Sequence, residues 1–177
     1  MLKVLKQVEC WIFSKNRVML LVEPESFGTH MLSVLACLSQ QRVLMLSLTR
    51  PAANWIEMLA SMGVKADRML FIQPAKMAKA KNAITLKQDC DLNEISIAIT
   101  EAVRHFKPDV VILENSHYLE LYYDEKTISR FFKFTNEKLS LLKVNSVFVG
   151  IAGVVLKQHP ELPALLENIY QVKDSNI

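Results

Sequence analysis

Apolar residues fall along this chain in two alternating kinds of run. Short continuous apolar stretches occur at Val18–Val22, Val43–Leu48, Met69–Ile72, Asp109–Leu113 (after its first residue), Ser146–Ile151 and Ile169–Val172. Continuous runs of this length suit strands buried on both faces. Between them the apolar positions repeat at helical spacing. Met31, Leu32, Leu35 and Leu38 mark a helix over about Thr29 to Leu38, and another runs from Pro51 to Met62 and stops at Gly63. Ile95, Ile99, Ala102 and Phe106 form the stripe of a helix capped by Asp91 or Asn93 and ended by Pro108. Asp124 starts a long helix with Ile128, Phe131, Phe132, Thr135, Leu139 and Leu142 facing inward. An amphipathic helix is expected at about 2–13 and a short one at Leu162–Glu167. Pro74 to Asp91 carries little pattern and reads as a surface loop, with a helical turn around Ala75 to Lys81.

Strands alternating with helices predict an α/β fold of three layers: a mostly parallel sheet with helices on both faces. The length of 177 residues fits one domain spanning 1–177. Apolar residues make up 51% and charged residues 22%, which excludes a disordered chain, and the net charge of +3 is too small to point to nucleic acid. The lysines at 76, 79, 81 and 87 have no interleaved aromatic residue to stack on bases, so a solvated loop is expected there. No apolar stretch reaches the ~18 residues of a membrane span, and the N-terminal pattern is a poor signal peptide. Cys10, Cys37 and Cys90 are odd in number and widely spaced, which argues against a disulfide framework and fits a cytoplasmic protein. His30, His105, His117 and His159 form no metal-binding spacing, so neither a metal nor a cofactor is expected.

The succession of elements, the Arg50-Pro51 helix start, the stretch "KPDVVILENSHYLELYYDEKTISRFFKFTNEKLSLLKVNSVFVGI" and the tail "HPELPALLENIYQV" resemble the RecA/KaiC-like ATPases, especially archaeal members. The resemblance covers nearly the whole chain and implies a RecA-like core. It also implies a strand order, with the first strand central between the Asp109 and Ser146 strands. The Val43 strand would lie beyond the Asp109 strand, and the Met69 strand would be outermost.

In that family a phosphate-binding loop, Gly-x-x-x-x-Gly-Lys-Ser/Thr, follows the first strand. The matching window here is Val22-Glu23-Pro24-Glu25-Ser26-Phe27-Gly28-Thr29, in which only Thr29 keeps its type. Val22 and Phe27 replace glycines that let the backbone wrap phosphates, and Gly28 replaces the lysine that neutralises them. Pro24 has no N–H to offer, and Glu23 and Glu25 add negative charge. Glu114 stands where the family carries its magnesium-binding carboxylate. Without a phosphate loop, a solvated carboxylate at a strand end is the expectation. Thr29 and Glu114 are thus vestiges of a nucleotide site.

Two functions remain open. The first is a non-catalytic, pseudo-ATPase domain working through protein contact. Its interface would draw on Trp11, Tyr118, Tyr122, Phe134 and Leu141, because these segments hold more large apolar side chains than one sheet face needs. The second is a small-molecule or nucleotide-binding enzyme using Glu114, Ser116 and His117 at the carboxyl edge of the sheet, where open α/β sheets bind ligands.

Overall fold

The computed structural model describes residues 17–87, 90–114, 116–158, 166 and 168–172. The helices expected at about 2–13, with Trp11, and at 162–167 lie outside the described residues apart from position 166. Among the described residues, seven strands form one sheet: β1 (Arg17–Val22), β2 (Val43–Leu46), β3 (Met69–Gln73), β4 (Ala83–Thr85), β5 (Val110–Glu114), β6 (Asn145–Ile151) and β7 (Asn168–Val172). Their order is β4-β3-β2-β5-β6-β1-β7, and every pairing is parallel. The α-helices among the described residues that connect them are α1 (Phe27–Cys37), α2 (Ala52–Ser61), α3 (Leu92–Phe106), α4 (Glu125–Leu141) and α5 (Ala152–Gln158).

Parallel neighbours need crossovers, and the helices that supply them cover both faces of the sheet. Along β1, Met19 and Leu21 point into one core with residues of α3, α4 and α5. Val18, Leu20 and Val22 point into the other with α1 and α2. The period-two side-chain direction of a strand thus divides one apolar run between two cores. The three-layer α/β architecture expected from the alternation is the one observed.

The expected strand order needs correcting. β1 lies between β6 and β7, and β6 separates it from β5. The reason is legible in the burial. β6 is buried through its middle five residues, as a strand with neighbours on both sides must be. β7 alternates between exposed and partly exposed positions, as suits an edge, and it takes the outer flank of β1. One flank of β1 then remains, and β6 fills it over six residue pairs. Two other placements hold, β2 beside β5 and β3 beyond β2, but β3 is not outermost, because the short strand β4 pairs along its outer side. β2 does not touch β1, which excludes a flavodoxin-like order.

The stretch expected as a loop contains β4, a three-residue edge strand pairing with Phe71–Gln73 of β3. Only a turn closed by Met77 N–H on the Pro74 carbonyl remains of the helical turn expected there. α5 follows β6 directly, within a stretch where the periodicity marked no helix. Leu142, expected inward, closes the C-terminus of α4 and is exposed.

Candidate functional site

The chain leaves β1 through Glu23 in an extended conformation, makes a single 3₁₀ turn over Pro24–Ser26, and enters α1 at Phe27. Ser26 N–H donates to the Glu23 carbonyl at 3.2 Å, closing the turn on itself. Pro24 occupies its first position, where the missing N–H costs nothing. Phe27 packs against the core under α1, and Glu25 is exposed. Thr29 lies in the first turn of α1, exposed, and its carbonyl accepts from the Ser33 hydroxyl at 2.8 Å. Arg50 is stacked over Trp55, 4.7 Å from the ring, and a Cβ added at Gly28 would lie 3.5 Å from its guanidinium.

Glu114 corrects the expectation most sharply. It is not a solvated carboxylate but 1% exposed. β5 carries it to the carboxyl edge beside β2, where the chain has just left the sheet at Leu46. One oxygen, Oε1, accepts from Leu48 N–H at 3.0 Å, Thr49 N–H at 2.9 Å and the Thr49 hydroxyl at 2.8 Å. The Ser47 hydroxyl lies 3.3 Å from the same oxygen but only 2.7 Å from the Arg50 carbonyl. A hydroxyl has one proton, so the shorter bond to Arg50 takes it. Ser47 Oγ in turn accepts from Trp55 Nε1 at 2.9 Å. The second carboxylate oxygen, Oε2, is buried without a hydrogen-bond partner among the described residues. Burial pushes the Glu114 carboxyl above its ordinary value, and the Thr49 and Leu48 donors oppose this. The run Ser47–Arg50, expected to continue as strand through Leu48, is therefore a loop moulded on this side chain.

A second buried polar side chain works nearby. Gln73, at the end of β3, accepts from Ala52 N–H at 2.8 Å and donates to the Ala78 carbonyl at 2.9 Å. It thereby caps α2, whose Pro51 has no side-chain oxygen to do so, and ties down the turn after β3.

β2 and β5 are neighbours whose chains depart to opposite faces, β2 to α2 and β5 to α4. Such a divergence opens a crevice at the carboxyl edge. A cleft of about 390 Å³ lies there. Leu48, Leu86, Ile95 and Leu119, all buried, form its apolar floor. Lys76, from the turn after β3, and Tyr118 and Tyr122, from the 3₁₀ segment Ser116–Leu121 and the residue after it, form its polar rim. The Lys76 ammonium lies 5.4 Å from the Tyr118 ring centre, and the Tyr118 and Tyr122 hydroxyls are 3.3 Å apart. A hydrogen bond from Lys76 holds the Tyr118 hydroxyl below its ordinary pKa and the Lys76 ammonium above its own.

Of the expected site residues, the structure brings Tyr118 and Tyr122 together. Glu114 turns toward the loop after β2. Ser116 and His117 lie in the backbone of the 3₁₀ segment, and their side chains are outside the described residues. Tyr118 is half-buried, while Tyr122, Phe134 and Leu141 are 60%, 54% and 83% exposed. Among the described residues no three His, Cys, Asp or Glu side chains are grouped to hold a metal ion. No helix among them is long and apolar enough to cross a membrane. Reading the residues alone missed Lys76 and Gln73. The available signals were a polar residue ending an apolar strand before proline, at Gln73-Pro74, and a tyrosine cluster following an acidic strand end.

No family model matches the sequence, and no curated protein does. The structure is similar to the crystal structure of a KaiC-like protein from the hyperthermophilic archaeon Pyrococcus horikoshii OT3. The TM-score is 0.67 at 11% identity, covering 92% of this chain and 74% of that one. At that identity the likeness is one of fold: the chain has the RecA-like, KaiC-type α/β fold.

Proposed function

We propose that this RecA-like core is a non-catalytic domain, a pseudo-ATPase that works through protein contact. The observation that carries the reading is the turn between β1 and α1. A phosphate loop needs successive N–H groups turned toward a central anion and a lysine at its end. Here Glu23–Phe27 spends its length on one 3₁₀ turn containing a proline, with Glu23 and Glu25 beside it and Gly28 in the lysine position. This degenerate loop has neither the donors nor the charge for a triphosphate.

Glu114 supports the same reading from the other side. A magnesium-binding carboxylate must face the phosphates, whereas Oε1 of Glu114 is occupied by the loop after β2, two strands away from β1. The acidic strand end has become a scaffold group. What the surface offers instead is apolar area. Phe134 and Leu141, seven residues apart on α4, share one side of that helix and stand largely in water, and Leu121 is 72% exposed.

Sedimentation velocity tests the contact. The wild type should associate with itself as concentration rises, and the double variant Phe134→Asp, Leu141→Asp should stay monomeric with an unchanged circular dichroism spectrum. A wild type that is monomeric throughout, indistinguishable from the variant, refutes self-association through α4.

A further inference from the structure

We propose that the cleft at the carboxyl edge between β2 and β5 binds a small monoanionic molecule: a carboxylate carried on an aromatic or short aliphatic body. Three observations converge on it. Its place is the carboxyl edge of the sheet, where the segments that follow β2, β3 and β5 meet the first turn of α3, and that edge is where open α/β sheets form ligand sites. Its size, about 390 Å³, suits a small organic molecule and falls at the low end of ligand pockets, roughly 300–1,000 Å³. Its lining is asymmetric in chemistry. Buried aliphatic side chains make the floor, and the hydrogen-bonding groups gather at one rim.

The rim defines the ligand's charge. Among the described residues, Lys76 is the one formally charged side chain lining the cleft, and no carboxylate lines it. A single ammonium answers a single negative charge. A triphosphate would leave most of its charge unmatched. The Tyr118 and Tyr122 hydroxyls are hydrogen-bonded to each other at 3.3 Å, which leaves one O–H free beside the ammonium, so one carboxylate would find a cation and one O–H group at the mouth. The Tyr118 and Tyr122 rings, 5.6 Å apart and tilted by 54°, offer aromatic surface to the body of the molecule. Lys76 already rests against Tyr118 and need not be recruited from solvent.

The floor is fixed as well. Leu48 enters it from a loop whose N–H groups are held by Glu114, so that buried carboxylate positions the binding surface without touching the ligand. The cleft shares Tyr118 and Tyr122 with the interface expected from the sequence but includes neither Phe134 nor Leu141, so the test at α4 and the test at Lys76 can fail separately.

The test is an NMR titration of the ¹⁵N-labelled protein with 2-naphthoate and, separately, with its neutral counterpart 2-naphthalenemethanol. Saturable amide shifts should appear at Leu48, Lys76, Ile95 and Leu119. The acid should bind about tenfold more tightly than the alcohol, the difference expected for one charge-assisted contact. Lys76→Met should abolish that preference, and Lys76→Arg should restore most of it. Lys76 is exposed, so these variants are expected to fold. Phe134→Asp should leave both titrations as they are. The proposal is overturned if neither probe gives saturable shifts at these residues. It is equally overturned if acid and alcohol bind alike, or if Lys76→Met keeps the preference.

Discussion

Glu114 spends one carboxylate oxygen on the loop after β2 and leaves the other, Oε2, buried without a partner among the described residues. Burial disfavours the charged form of this side chain. Glu114→Gln keeps the acceptor and removes the charge, so it should fold with a urea midpoint close to that of the wild type. Glu114→Ala strands the Leu48 and Thr49 N–H groups and should cost about 2–4 kcal/mol by the same measurement. The pH dependence follows from the raised folded pKa. Below the ordinary carboxylate value the group is protonated in both states and its stabilising contribution is complete. As pH rises through the folded value that contribution is lost, because the native state binds the proton more tightly than the unfolded chain does. Glu114→Gln should therefore gain on the wild type as pH rises through this window, and parallel pH slopes for the two proteins would contradict a raised pKa. The sequence made Glu114 conspicuous as an acid ending an apolar strand. It did not reveal the burial, because that depends on a loop sixty-odd residues earlier in the chain folding over it.

Elements with local signals were the legible ones. Asp91 was a predicted cap for α3, and it forms a capping box: its side chain accepts from Glu94 N–H at 2.8 Å, and the Glu94 carboxylate accepts from Asp91 N–H at 3.3 Å. Asp91→Ala should lower stability by about 1 kcal/mol in chemical denaturation. Asp124, the predicted start of α4, accepts from Thr127 N–H at 2.9 Å, which holds its carboxyl below the ordinary value. Its support for the helix is present at neutral pH and is lost as pH falls. The missed elements depend on contacts distant in sequence. β4 is three residues long, and it is a strand because β3 lies beside it. α5 packs so closely on β6 that a Cβ added to Gly150 would lie 2.5 Å from Val155 Cγ2. A buried valine cannot swing aside as a long side chain would, so Gly150→Ala should cost about 1–3 kcal/mol. Adding Val155→Ala should make the Gly150→Ala step nearly neutral, as a double-mutant cycle of denaturation midpoints would record.

At the scale of the molecule, alternation gave the parallel sheet and its helical layers, and the Val43, Met69 and Asp109 strands were placed in their observed order. The place of β1 was not legible, because apolar runs such as VMLLV and VFVGI are equally suited to any interior position of a sheet. The distinction came from β7, whose alternating exposure marks an edge only once its neighbour is known. The cleft was hidden for a related reason: Lys76, Leu48 and Tyr118 are far apart in the chain and meet only through the β2/β5 divergence. The departure from the phosphate-loop pattern, by contrast, lies within eight consecutive residues and was readable at once. The central claim is that a RecA-like core persists here without its catalysis. It is tested most directly by measuring phosphate release from magnesium–ATP by the purified protein beside its Glu114→Gln variant. The account predicts background release from both. Turnover above background by the wild type, lost in a variant that remains folded, would contradict it.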